Sequence, residues 1–295
     1  SVLTSNITAP TGAITISAAG TNENIILNPS GTGNVDVGLH HITQLAIPVN
    51  PNDAATKEYV DNIAQGLHVH APVAVTSLTN LNATYANGGS TLTTTTISGG
   101  KTITFSANHG LSVGDELFWV NTFNGITAYN AYFVYSTPAL NQITVKDGYF
   151  GAEVTTLTNG TGLTQSAKAN SGVGATLTNA GSNAAISIDS ISLSSTNRVL
   201  VQGQNNAYEN GVYTVTTVGN GSTAWVLTRS SDTDTYSPDS PTALGGGDYF
   251  FVQQGATGAG ASYVLTSPTG EILFGYTDLT FTQFSAAGSY TAGNG

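Results

Sequence analysis

Two histidines one residue apart lie in the run Leu67-His68-Val69-His70-Ala71. On a strand, a spacing of two turns His68 and His70 to the same face. Three chains sharing an axis there would offer six ring nitrogens, a set suited to octahedral coordination of a transition metal. The plainer alternative is a pair of solvent-facing or hydrogen-bonded imidazoles. His40 and His41 are adjacent, so on a strand they would point to opposite faces. Asp232, Asp234 and Asp239 fall in a Ser/Thr/Pro-rich stretch, where a sugar-cleaving carboxylate pair or a Ca²⁺ site could be built. Such a pair needs a cleft and a fixed separation, and the expectation for these aspartates is a solvated, turn-forming loop.

Two catalytic patterns match by letter and fail by context. Gly110-Leu111-Ser112-Val113-Gly114 has the spacing of a nucleophile elbow, which requires a helix after the serine and a histidine later in the chain. A strand-like Leu117-Phe118-Trp119-Val120 follows instead, and His109 is the last histidine. Gly100-Lys101-Thr102 has the end of a phosphate-binding loop, but Thr95 stands where its first glycine belongs. No enzymatic activity is expected. The aromatic residues of this region, Trp119 and Tyr132 among them, admit two readings: stacking on a glycan, or filling the core of a small barrel.

The elements that must position these residues are mostly strands. Hydrophobic residues make up 39% of the 295, but charged residues only 8%, against roughly 25% in an ordinary soluble domain. Thr, Ser and Asn supply the polarity, and 35 glycines supply turns. Asn-Gly pairs at Asn87-Gly88, Asn124-Gly125, Asn159-Gly160, Asn210-Gly211 and Asn220-Gly221 suit the left-handed angles of tight hairpins. Runs such as Tyr132-Phe133-Val134-Tyr135, Val212-Tyr213-Thr214-Val215 and Thr280-Phe281-Thr282 predict strands. The fold class expected is all-β with one short helix.

That helix is predicted after Pro51, with Asn52-Asp53 as its cap and Gly66 as its stop. Thr56, Val60, Ile63 and Leu67 follow the 4-3-4 spacing of a coiled-coil seam, although Leu67 lies past the stop. About thirteen residues is marginal for a lone helix in water. It must dock, either on its own β domain or in a three-stranded junction. Residues 1–46 carry strand-like runs too short to build a core in one chain, which three copies sharing an interior could stabilise.

A net charge of −11, with only 6 Lys plus Arg, argues against nucleic-acid binding, which needs a basic patch. No apolar run approaches the roughly 20 residues that span a bilayer, so membrane insertion is not expected. Cysteine is absent, which removes disulfides and thiolate metal sites. The Gly-rich end Ala292-Gly293-Asn294-Gly295 suggests an excerpt of a longer chain.

Three stretches carry a family likeness. Residues 25–37, from Ile25-Ile26-Leu27-Asn28-Pro29 to Val35-Asp36-Val37, are similar to a short β repeat of fibre shafts. Pro48-Val49-Asn50-Pro51-Asn52-Asp53-Ala54-Ala55-Thr56-Lys57-Glu58-Tyr59-Val60-Asp61 resembles the helical junction of such fibres. The third stretch is split: Ala83-Thr84-Tyr85-Ala86-Asn87-Gly88 normally continues directly into a segment like Ser171-Gly172-Val173-Gly174-Ala175-Thr176-Leu177-Thr178-Asn179-Ala180-Gly181. Together they resemble bacteriophage tail fibre proteins. The resemblance implies a homotrimeric virion protein of the tail, in contact with other tail or baseplate proteins, that supports or performs attachment to the host cell, with a host surface glycan as a further partner. It also implies a layout: a trimeric β shaft at 1–46, a helical trimer junction at 47–67, a split β domain at 68–88 and 171–286, an inserted small β-barrel-like module at 89–170, and a linker at 287–295. Some trimeric fibres hold a metal with His-x-His, although the segment following this helix usually lacks that motif; otherwise no cofactor is expected. The alternative reading is a carbohydrate-binding adhesin module. A third, a polysaccharide depolymerase, would show itself by releasing oligosaccharides.

Overall fold

The computed structural model describes residues 68–285 without a break, and residues 26, 29, 31, 32, 35–38, 40, 42 and 54 besides. The shaft, the predicted helix and the seam residues Thr56, Val60, Ile63 and Leu67 lie outside or largely outside that range. The continuous block is all-β, with a single 3-10 turn at Ala207–Glu209.

The block begins with two strands, β1 (Val75–Ser77) and β2 (Ala83–Ala86). Six more follow: β3 (Ser90–Ser98), β4 (Thr102–Phe105), β5 (Glu116–Trp119), β6 (Tyr132–Ala139), β7 (Gln142–Asp147) and β8 (Gly160–Ala169). After them come β9 (Thr176–Asn179), the short pair β10 (Ser187–Ile188) and β11 (Ile191–Ser192), then β12 (Arg198–Val201), β13 (Gly211–Thr217) and β14 (Val226–Arg229). The last three are β15 (Tyr249–Phe251), β16 (Ser262–Ser267) and β17 (Thr280–Ser285).

β3 to β8 close into a barrel in the order β3-β4-β7-β6-β5-β8, and every pairing around it is antiparallel. Closure removes the exposed edges that a six-stranded sheet would otherwise carry. Alternation along the strands fills the interior. Leu117 and Trp119 of β5, and Tyr132 and Val134 of β6, point inward beside Ile97, Ile103, Phe105 and Ile143. Their neighbours Phe118 and Phe133 point outward, yet they too are buried, against Leu273 with Tyr149 and Tyr236 alongside. One flank of the barrel is therefore docked on the rest of the block.

The remaining strands form the host of that barrel. A six-stranded sheet runs β1-β12-β13-β14-β9-β2, and a three-stranded one runs β15-β16-β17. Period two gives the larger sheet two buried faces. Val199, Val201, Tyr213 and Val215 pack with Ile186, Ile188 and Trp225 on one side. Leu200 and Val212 pack with Phe250, Leu265 and Phe281 on the other. The segment leading into β1 joins the two sheets. Val69 and Val73 bridge in parallel to Tyr249 and Val252, and β1 then pairs in parallel with β12.

β2 and β9 are hydrogen-bonded neighbours, from Ala83 opposite Asn179 to Ala86 opposite Thr176. The barrel leaves from the end of one and returns to the start of the other. The strands into and out of the barrel pass so closely that side chains are excluded. Gly88 N–H donates to Ser171 O at 2.9 Å, a Cβ on Gly88 would lie 1.9 Å from Val173 O, and one on Gly89 (φ +62°) would lie 2.0 Å from Ala169 O.

Candidate functional site

The histidine pair falls at the edge of the described block, and it does reach one face. His70 Nε2 is 2.8 Å from Asp248 Oδ2 and Nδ1 is 3.4 Å from Asp232 Oδ2. His68 Nδ1 lies 3.3 Å from the other oxygen of Asp248, without hydrogen-bond alignment. Arg198 grips Asp232 with both terminal nitrogens, at 2.7 and 2.9 Å. The His70 ring stacks on Phe250, with centroids 4.8 Å apart. Burial works against a charge on His70, but hydrogen bonds to Asp232 and Asp248 more than offset it and raise its pKa to about 9. At Asp232, hydrogen bonds from His70 and Arg198 and their charges outweigh burial and lower its pKa to about 2. His70 is thus an imidazolium with both nitrogens donating to carboxylates, and neither lone pair is free for a metal. Among the described residues no group of His, Asp and Glu has the arrangement of a metal site.

The Asp232–Asp239 stretch forms turns and bends, as expected, and Asp239 is exposed, but Asp232 and Asp234 are drawn into the fold. Asp232 belongs to the histidine network. Asp234 is 9% exposed, and burial raises its pKa to about 6. Asp239 accepts from Ser237 Oγ at 2.8 Å and lies 3.4 Å from Tyr149 Oη. The pull of the folded core on these carboxylates cannot be read from a run of Ser, Thr and Pro.

Trp119 and Tyr132 correct the glycan reading at those positions. Both are inside the barrel, at 0% and 3% exposure. Trp119 Nε1 donates to Thr94 Oγ1 at 2.9 Å, and Tyr132 Oη accepts from Thr127 N–H at 2.9 Å. A stacking platform must be reachable, and these rings are core. Ser112 of the elbow-like pattern lies in the β4–β5 loop, its N–H held by Asp115 Oδ2 at 2.8 Å. The neighbouring His109 accepts Leu111 N–H on Nδ1 at 2.8 Å and faces Ala139 O with Nε2 at 3.2 Å. Nε2 therefore carries the proton, and neither nitrogen is free to act as a base on Ser112.

The cleft with the richest chemistry lies where the barrel meets its host. It encloses about 320 Å³ and is lined from the barrel by Asp115, Glu116, Tyr149 and Asn170, and from the host by Tyr236, Ser237, Ser240 and Thr242. Glu116 opens β5, and alternation along that strand puts its side chain on the same outward face as the docked Phe118. It is 7% exposed and its Oε1 has no hydrogen-bond partner. Burial, aided by the nearby Glu271 carboxylate, holds its pKa well above the ordinary carboxylate range. Burial, then the same acidic surroundings, pushes Tyr236 up to about 12.

Hydroxyl groups run along the host side. Tyr149 Oη is 3.1 Å from Ser237 Oγ, and Ser240 Oγ is 3.0 Å from Thr242 Oγ1. Tyr149 stands in the barrel loop after β7. Glu271 of the host accepts Tyr149 N–H at 2.5 Å, pinning a turn on which Phe150 stands 80% exposed, edge-on to Tyr149 at 5.0 Å. None of Glu116, Tyr149, Phe150 or Glu271 has a sequence signature, because the barrel and the host contribute them from positions far apart in the chain. Compared with family models, with curated proteins and with solved structures, the chain finds no match.

Proposed function

We propose that this chain is a segment of a bacteriophage tail fibre: a non-enzymatic virion protein of the tail that assembles as a homotrimer, contacts other tail or baseplate proteins, and supports or performs host attachment. The observation that carries this reading is the joint at which the barrel is inserted. The stretches resembling tail fibres on either side of residues 89–170 are paired directly, β2 against β9, with Gly88 N–H on Ser171 O at 2.9 Å. The host sheet is closed across the gap as it would be in a chain without the insert. Joints at which the chain leaves one strand and returns beside it are suited to added domains, and an added module displayed on a fibre is well placed to meet a surface. Several trimers on one particle would convert weak contacts into firm attachment.

Light scattering of the purified chain tests the assembly. Three times the chain mass of 30.1 kDa is the expected result, and a monomer at micromolar concentration counts against a trimeric segment. A second reading, a carbohydrate-binding adhesin module, is favoured by the hydroxyl-lined cleft at the barrel–host boundary. It requires no trimer, so the same measurement separates the two.

A further inference from the structure

We propose that the inserted barrel is seated on its host by a pH-sensitive contact, in which Glu116 holds the barrel down while it carries its proton and frees it when that proton is lost. Glu116, Phe133 and Lys146 form a row across β5, β6 and β7, Glu116 opposite Phe133 and Phe133 opposite Lys146. The host covers this face, with Leu273 and Tyr236 packed against Phe118 and Phe133. Glu116 is sealed into that seam, and its Oε1 has no hydrogen-bond partner. The cation of the row is engaged elsewhere. Lys146 Nζ is bound to Tyr149 O and lies 5.7 Å from the Phe133 centroid and 5.0 Å from that of Tyr149. Among the described residues no cation pairs with Glu116.

Acid faces it instead. From the host comes Glu271, whose charge adds to burial in keeping the proton on Glu116. Glu271 also ties the two bodies together, because its Oε1 accepts Tyr149 N–H at 2.5 Å. Tyr236 and Asp239 come from the host as well, Asp239 held by Ser237 and Tyr149. From the barrel, Asp115 and Tyr149 share the cleft with Glu116, and Asn170 bonds its backbone at 2.9 and 3.2 Å.

A carboxylate sealed here would be an unpaired charge beside a second one, so the seated form keeps Glu116 neutral. Once the barrel lifts, water reaches Glu116 and it ionises in the ordinary range, at about 4.3. Between that value and its higher seated one, the seated form binds one more proton than the lifted form. Rising pH across that window therefore favours lifting, by up to about tenfold per unit. The barrel need not unfold to lift. Its own core is separate from the seam, and it stays tied through the β2–β9 joint at Gly88 and Gly89. Tyr236, pushed up to about 12, titrates far above this range. Asp234, raised to about 6, falls within it, but its charged neighbours are Arg229 and Asp232, so any slope it adds is common to all Glu116 variants.

The test uses the full chain, which has no cysteine. Ala131→Cys places one thiol in the seam and Ala167→Cys places one in the barrel core, both at buried positions. Labelling with iodoacetamide, corrected for thiolate content with an unstructured cysteine peptide, reads how often each thiol is exposed. From pH 5.5 to 8, exposure of the seam thiol should climb more steeply with Glu116 present than in Glu116→Gln, by up to about tenfold per unit. The core thiol should show no such difference. Glu271→Gln keeps an acceptor for Tyr149 N–H but removes the facing charge, so the climb should level off at a lower pH. Circular dichroism verifies that each variant is folded. The proposal is overturned if the seam responds to pH alike with Glu116 and with Gln, or if Glu271→Gln leaves the response unchanged. It is overturned too if the core thiol follows the seam thiol, because the barrel would then be unfolding rather than lifting. None of these readouts depends on the mass of the assembly, so the trimeric fibre reading stands or falls separately.

Discussion

At the scale of single residues, a buried ionic network centres on His70, between Asp248 and Asp232. Its folded pKa of about 9 exceeds the unfolded value of about 6.5. The protonated ring therefore stabilises the fold fully below pH 6.5, and that contribution is lost as the pH rises through 9. Asp234 acts in a different window. Its raised pKa of about 6 penalises the folded state as it ionises, so its effect falls between the ordinary carboxylate range and pH 6. Thermal unfolding followed from pH 6.5 to 9.5 should show a loss of about 1–2 kcal/mol, discounted for the partial exposure of Asp232. His70→Gln should be less stable throughout and flat across that window; a flat wild-type profile would remove the charged network. Trp119 is the other residue with a defined cost. Trp119→Ala empties part of the barrel core and strands Thr94 Oγ1, so urea unfolding should report about 3–5 kcal/mol lost from the barrel.

At the scale of elements, the barrel has its own core, while Phe118 and Phe133 belong to the seam with the host. Phe133→Ala should leave the barrel folded and loosen its seat. Hydrogen exchange should then quicken along the outer faces of β5 and β6 but not in β3 and β8, and uniform quickening would mean that barrel and host unfold as one. The all-β class was legible from Thr-rich alternation and from Asn-Gly turns, such as Asn124-Gly125, where both residues take positive φ. The shared face of His68 and His70 was also legible, because period two is a property of the backbone. Their partners were not. Asp248 and Asp232 lie more than 160 residues downstream of His70, and pairing at that separation is decided by packing. Trp119 and Tyr132 show the same limit from the other side: an aromatic on a strand has the same letter whether it faces a core or a ligand, and only closure of the barrel decides which.

For the whole molecule, the described block couples two bodies through a narrow joint and a broad seam. The joint consists of glycine-mediated crossings at Gly88 and Gly89, and the seam of aromatic packing around Phe133. The cleft exists only because both are present, so a chain lacking residues 89–170 would keep the β2–β9 pairing but have no cleft. The segment at 68–77 has a further consequence. It is bonded in parallel to β15 through Val69 and Val73 and to β12 through β1, so it is stitched to both sheets along its length. Tension applied at His68 along that segment would load these hydrogen bonds in shear, all at once, rather than peeling them apart in turn. Forced unfolding is governed by the height of the barrier to rupture, and simultaneous rupture raises that barrier. The block is therefore built to resist a pull from its N-terminal side, whatever its equilibrium stability.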